Sequence, residues 1–559
     1  LKFLHQKIRS TLNFIIESIK KNQKTKKFIT LAFFVIVYLV GLRIHPDYGM
    51  SVDEQIQHVH GYVAADYIAE SILPSIKNLE IFKGIPPYPE YIGSNYGVLF
   101  HLPFLLIEKT FYLDANTPAF WKFKHLYTFM WFYVGLIFLY KLIANKYGWE
   151  YGLLGCLFML LSPRIFAHSF FNVKDLVFLS TTIICFYYSF KFFKNHNLIN
   201  ALLLSLSLAV CINVRVVGIM FLFMVLFFTI FDFFKSKEQI TKKQYVSLCI
   251  LPFLTLFLTV LFWPAAWENP IKFLIDTIFL KADFSWQGTV LYMGNFIKAQ
   301  EVPWHYIPTW LLITTPVMYL LLFMAGFVST VKIFLNNKIK LYSNNSEKED
   351  VFSLLVFFVP ILAVIILNSP LYDGWRHMYF LYVPFILISI KGLKFFYNYF
   401  STLNIRKNIS KFLLYMICGF FILGMGNTAF WMFKNHPFQH VYFNILAGSN
   451  IENNYERDYW YLSARKGLEY IVNNDDRSHI KIFKPVGFGK HNLVMLSPSD
   501  QKRIEWVEID DADYIVDCFR WVKGNCRKEL EIACKEKEVY TLSVDSIKIM
   551  AVYDMRAKE

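Results

Sequence analysis

The sequence predicts a polytopic α-helical membrane protein with a small C-terminal α/β domain. Three observations predict it. The 559-residue chain is 55% hydrophobic and only 18% charged. Its apolar content arrives in blocks of about 18–25 residues, each enough to span a bilayer as helix. Its basic residues cluster at the ends of those blocks, where they act as topology signals. The net charge of +15 is accounted for in that way, and no nucleic-acid partner is expected.

Residues 1–27 read as a basic cytoplasmic N-terminus, with Lys20, Lys21, Lys24, Lys26 and Lys27 ahead of the first span. No cleavage site of small residues follows, so this stretch reads as an uncleaved anchor. A transmembrane domain over 28–433 then holds about eleven helices. The expected spans are 28–44, 119–142, 150–168, 175–193, 197–213, 216–234, 245–264, 306–334, 351–368, 378–398 and 411–431. A long first outer loop, 45–118, separates the first two. With this assignment the Lys-rich short loops, including those with Lys237 and Arg406, all fall on one side, as the positive-inside bias requires. The KSKEQITKK and NNSEKED turns read as solvated connectors.

After 434 the character changes. Charge rises, and ADYIVDCF, EVYTLSV and SIKIMAVYD alternate as strands do. DYWYLSARKGLEYIVNN reads as one amphipathic helix, with Leu462, Lys466, Leu468 and Ile471 at roughly helical spacing. Residues 434–559 are therefore expected to form a small α/β domain on the outer side. Cys518, Cys526 and Cys534 lie in it; a disulfide is open to them, the spacing does not choose the pair, and it fits zinc ligation poorly.

Ionisable residues at a membrane are functional candidates, and here they share the outer side. Asp53 and Glu54 follow the first span in GMSVDEQIQHVHG, with His58 one helical turn from Glu54. Two adjacent carboxylates near a low-dielectric boundary suit a base, a metal ligand or an acceptor of hydrogen bonds; a solvated loop pair is the plainer alternative. In FFNVKDLVF, Asn172 and Asp175 suit an N-cap and the positive end of the helix dipole. Lys174 is unfavourable there unless an anion faces it, and helix N-termini bind phosphate. Arg215 interrupts a near-continuous apolar run, where an unpaired arginine costs about 2.5–3.5 kcal/mol. It either snorkels to the surface or pairs with a phosphate, and Arg376 and His377 in NSPLYDGWRH pose the same choice.

These features together resemble the GT-C class of membrane glycosyltransferases. The acidic pair after span 1, the long first loop, the PRxxxHxxxNxKD turn and the hairpin arginine are similar to dolichyl-phosphate-mannose protein mannosyltransferases and to the bacterial aminoarabinose transferases of lipid A. The stretches YGVLFHLP, SPRIFAHSFFNVKDLVF, YDGWRHMYFLYVPF and HPFQHVYFNILAG carry the likeness. The resemblance implies a GT-C-like fold and an inverting transfer of a sugar from a polyprenyl-phosphate carrier to an extracytoplasmic hydroxyl or phosphate. It implies Asp53 as the catalytic residue, Glu54 as substrate-binding, and Arg215 as the closest counterpart of the phosphate-binding cation, joined by Lys174 and Arg376. His58, His101, Asn172, Asp175 and His377 complete the expected substrate-binding set. No cofactor is expected, with a divalent metal left open. The expected partners are the lipid-linked sugar donor, a glycan, lipid or protein acceptor, and the lipid bilayer. The expected location is the bacterial inner membrane, multi-pass, with the site facing the periplasm. The first loop reads NYGVLFHLP and lacks the His-Pro-Pro triplet of the mannosyltransferases, so the resemblance does not name the acceptor. A transporter or flippase of a lipid-linked anionic sugar is the alternative; it would show repeated halves and midplane charges, and neither is present in the sequence.

Overall fold

The structure, a computed structural model, describes residues 22–72, 74–76, 86–88, 91–235, 241–282, 286–402, 407–485 and 487–556. Lys20, Lys21, Lys237 and Arg406 of the expected basic flanks lie outside them. Eight described helices are long and apolar enough to cross a membrane, or nine if the bent pair Trp149–Leu160 and Pro163–Phe171 is one span. The shorter apolar helix Leu198–Val214 and the helix Lys407–Lys434 stand where the two remaining spans were expected.

Two spans expected as continuous are broken, and proline is the physical reason. The chain bends by 73° between Leu160 and Pro163, because Pro163 occupies the first turn of a new helix and cannot continue the old one. The 306–334 segment divides into Tyr306–Thr314 and Val317–Asn337 around Pro316. Both breaks lie at the end of the bundle that carries the polar cluster described below.

The NNSEKED turn is not a solvated connector. Asn344 caps the helix Asn345–Ile366 through the Glu347 N–H, so Lys348, Glu349 and Asp350 belong to a helical turn packed among neighbouring helix ends. Lys348 and Glu349 are buried. Glu349 meets Lys146 at 3.0 Å and Lys194 at 3.1 Å; Asp350 meets Lys146 at 2.9 Å and Lys391 at 2.7 Å. Lys348 meets Asp232 at 2.5 Å.

On the opposite side a hairpin of β1 (Thr289–Tyr292) and β2 (Asn295–Lys298) folds over the bundle. The C-terminal sheet holds β3 (Ile480–Phe483), β4 (Ile504–Trp506), β5 (Tyr514–Cys518), β6 (Glu538–Val544) and β7 (Ile547–Asp554), in the order β4-β3-β5-β7-β6. β3 runs parallel to β4 and β5, and β7 pairs antiparallel with β5 and β6. The three alternating stretches read from the sequence are β5, β6 and β7. The helix Ala464–Asn474 packs Leu468 and Ile471 on this sheet, but it begins later than DYWYLSARKGLEYIVNN suggested. Asp458 accepts the N–H groups of Leu462 and Ser463 at 3.2 and 2.7 Å, and Tyr461 sits at φ +60°. Those bonds keep residues 458–463 out of the helix and hold them against the bundle, where Tyr459 shares a 3.0 Å hydrogen bond with His168. Cys526 and Cys534 form the disulfide and Cys518 is buried and free.

Candidate active site

Asp53 and Glu54 begin the helix Val52–Ile72 and point in different directions. Glu54 reaches back to accept the Ser51 N–H at 2.7 Å, half of a capping box. Its other oxygen lies 3.1 Å from His125 Nε2, and the side chain is fully buried. That bond fixes the first turn, and the 100° step between helical neighbours leaves Asp53 turned outward. Asp53 is one-quarter exposed and lies 3.7 Å from Arg376 Nη1.

The turn 172–175 forms the next wall. Asn172 Oδ1 accepts the N–H groups of Lys174 and Asp175 at 3.3 and 2.7 Å, an Asx turn that leads into the helix Asp175–Lys194. Asn172 Nδ2 donates to Asp175 Oδ2 at 3.1 Å. Asp175 is almost completely buried and serves the arginines: Arg215 Nη1 donates to Oδ1, and Arg376 Nη1 to Oδ2 at 3.1 Å. The N-cap position is Lys174, which makes no side-chain capping bond, so the expected Asn172 cap is instead a turn just ahead of the helix; the cations that meet Asp175 are drawn from distant hairpins.

Lys174 is different. Among the described residues it meets no carboxylate within ion-pair distance; its ammonium sits 3.7 Å from the centroid of the Tyr96 ring. Burial lowers its pKa from the ordinary lysine value. Tyr96 is held there by its neighbour: a Cβ on Gly97 would fall 1.6 Å from the Asn213 carbonyl oxygen. Only glycine allows that approach, and Asn213 then accepts the Leu99 N–H at 2.9 Å. The YGVLFHLP stretch is thus docked on the hairpin that carries Arg215.

Arg376 ties these walls together. Asp373 Oδ2 lies 3.1 Å from its Nε and 3.0 Å from its Nη2. Its guanidinium faces Tyr372 and Trp460 at 5.1 and 4.9 Å from the ring centroids. Asp373 and Gly374 are both left-handed, at φ +57° and +65°, a sharp turn that glycine and aspartate tolerate best. Tyr372 also contacts the His377 ring and stacks on Trp286. Arg215 is 22% exposed, so both it and Asp53 reach the open side of this cluster.

The structure therefore brings Asp53, Asn172, Lys174, Asp175, Arg215, Arg376 and His377 together. It sets the other three apart. Glu54 faces the interior. His58 lies 3.3 Å from Glu108 among Phe120 and Trp121, and burial pushes its pKa down to about 2. His101 lies behind His60, which stacks on Tyr96, and burial holds it well below the ordinary histidine value. Sequence reasoning missed Trp460, Glu456 and Arg520; it singled out the stretches that hold Tyr96, Trp286 and Asp373 without assigning those residues to the binding set. Asp373 and Tyr96 lie inside the stretches YDGWRHMYFLYVPF and YGVLFHLP and were within reach of it; Arg520 lies 147 residues from its partner Asp373 and gave no signal. Among the described residues, no group of three His, Cys, Asp or Glu side chains forms a metal set.

The sequence model of the family described as Dolichyl-phosphate-mannose-protein mannosyltransferase matches residues 125–263. That segment contains Arg164, Asn172, Lys174, Asp175 and Arg215, so the expected resemblance is met there. No curated protein matches the chain. Among solved structures, ArnT from Cupriavidus metallidurans bound to undecaprenyl phosphate is similar with TM-score 0.46 and 11% identity, over 94% of this chain and 98% of that one. The Archaeoglobus fulgidus oligosaccharyltransferase in the apo form has TM-score 0.48 and 10% identity, over 89% and 70%. The archaeal oligosaccharyltransferase AglB from Archaeoglobus fulgidus, in complex with an inhibitory peptide and a dolichol-phosphate, has TM-score 0.47 and 9% identity, over 88% and 70%. At such values the structural likenesses carry no argument about this chain's residues.

Proposed function

We propose that this protein is a GT-C-type glycosyltransferase that moves a sugar from a polyprenyl-phosphate carrier to an extracytoplasmic hydroxyl or phosphate, with inversion. One observation carries the reading: a partly exposed carboxylate, Asp53, stands 3.7 Å from an arginine that shares Asp175 with Arg215. An acid and a set of cations drawn from separate hairpins meet at one end of an apolar bundle. The family match over 125–263 supports the same reading.

The chemistry follows from the residue types. The acceptor oxygen attacks the anomeric carbon and the carbon–oxygen bond to the carrier phosphate breaks. The phosphate leaves with the bonding electrons, and Arg215, Arg376 and Lys174 stabilise the charge that develops on it. Cations in that position remove the need for a general acid. When the acceptor is a hydroxyl, Asp53 on the opposite face takes its proton, as single-displacement inversion requires. Asp175 and Asn172 orient the cations, and His377 and Tyr372 line the wall beside them. The expected setting is the bacterial inner membrane, with this end of the bundle toward the periplasm.

Purified protein in liposomes, supplied with polyprenyl-phosphate-linked sugars, tests the reading. Transfer releases free polyprenyl phosphate, and Asp53→Asn stops the release while the protein stays folded. Movement of intact lipid-linked sugar across the bilayer, without loss of the sugar, refutes it.

A further inference from the structure

The C-terminal domain reaches into the candidate site. Arg520 lies two residues past the end of β5. Its Nη2 donates to Asp373 Oδ1 at 2.6 Å, and its Nη1 donates to the Tyr459 carbonyl at 2.8 Å. Asp373 thus stands between two arginines, with Arg520 on one oxygen and Arg376 on the other. All three side chains are nearly completely buried. Trp460, from the same C-terminal stretch, covers one face of the Arg376 guanidinium.

Charge makes this arrangement consequential. Arg215, Arg376, Lys174 and Arg520 face Asp53, Asp175 and Asp373, an excess of one positive charge. Without Arg520 the excess vanishes, and the whole charge of Asp373 falls on Arg376. Around Asp373, where both arginines are nearly fully buried, that difference is large, because buried charges are poorly screened. Glu456 lies in the same cluster, buried, with neither carboxylate oxygen hydrogen-bonded. Burial raises its pKa above the ordinary carboxylate range, against the pull of Arg520, which favours its neutral form and keeps it from cancelling the excess.

We propose that Arg520 is a positioning residue of the site: by sharing Asp373 it holds Arg376 in place and leaves the charge of Arg376 for an incoming phosphate. This rests on the function proposed above. It gives the C-terminal domain a role in the reaction beyond packing, since the domain supplies the group that sets the charge of a site built from the helices. The shared chemistry of the ligand is a phosphate on a lipid chain.

The experiment measures binding of undecaprenyl phosphate to the purified full chain in nanodiscs, with thermal unfolding followed on the same samples. Arg520→Met is expected to raise Kd about tenfold, and Arg520→Lys to restore most of the loss. Because Arg520 acts largely through Asp373, adding Arg520→Met to Asp373→Asn is expected to raise Kd by clearly less than the roughly tenfold it causes alone, leaving only the loss of one more distant charge. A merely structural role would instead lower stability in both backgrounds and leave the Kd of the folded fraction unchanged. Should Arg520→Met fail to fold, Arg520→Gln keeps a donor toward the Tyr459 carbonyl and loses the charge. An unchanged Kd in the folded single variant, or an effect that simply adds to that of Asp373→Asn, overturns the proposal. Failure of the unaltered protein to bind undecaprenyl phosphate would count instead against the proposed function.

Discussion

Two charged clusters occupy opposite ends of the helix bundle, and they are built differently. At the lysine-rich end, Glu349 and Asp350 are each met by two lysines between 2.7 and 3.1 Å, and Lys348 meets Asp232. Each carboxylate there has direct cationic partners, which suits a lock between helix ends. At the other end the cations are mostly arginines, the carboxylates are shared, and among the described residues Lys174 meets the Tyr96 ring and no carboxylate within ion-pair distance. Asp53 is held at 3.7 Å, beyond a good hydrogen bond. Charge density is high at both ends and does not separate the two clusters. The distinction lies in whether the pairing is complete.

Substitutions at the two ends can break or sharpen that contrast. The largest effect is expected from Arg376→Met, which leaves Asp373 and Asp175 short of a cation; sugar transfer should fall by about 100-fold or more, read as kcat/KM for the lipid-linked donor. Arg215→Met should raise donor KM about tenfold, with a smaller change in stability, because Arg215 is the more exposed arginine. Lys174 should produce an alkaline limb. Burial lowers its pKa, so it becomes neutral at a lower pH than a surface lysine, and a neutral amine does not attract phosphate. Donor affinity should therefore fall as pH rises through that lowered value, and Lys174→Met should flatten the limb in a pH titration of Kd. The smallest effect on catalysis is expected at the other end. Glu349→Gln takes one of two carboxylates from Lys146, which keeps Asp350, and the partner of the exposed Lys194; it should cost about 1–3 kcal/mol of stability, visible in unfolding, with kcat/KM of the folded protein unchanged. Loss of catalysis in that variant would erase the contrast.

Much of the fold was legible because apolar length and lysine placement are local signals. A helix stands at the position of each expected span, and three of five C-terminal strands were read from alternation. What escaped depends on tertiary contacts. Lys348 and Glu349 looked solvated because nothing nearby in sequence reveals Lys146 or Lys194. The breaks at Pro163 and Pro316 lay inside apolar runs whose length alone suggested continuity. In the site, Asp53, Lys174, Arg215 and Arg376 were legible because charge is conspicuous in a greasy chain. Glu54, His58 and His101 were equally conspicuous, yet their partners Ser51, Glu108 and His60 turn them inward. Arg520 escaped for the opposite reason: in a polar domain an arginine attracts no notice.

The central claim is that Asp53 acts on the acceptor and does not hold the carrier phosphate. The most direct measurement is the Kd of undecaprenyl phosphate for Asp53→Asn beside the unaltered protein. Removing a negative charge that faces Arg376 should leave binding as tight or tighter while sugar transfer is lost. Binding weakened by about tenfold or more, or transfer that survives the substitution, would contradict the account.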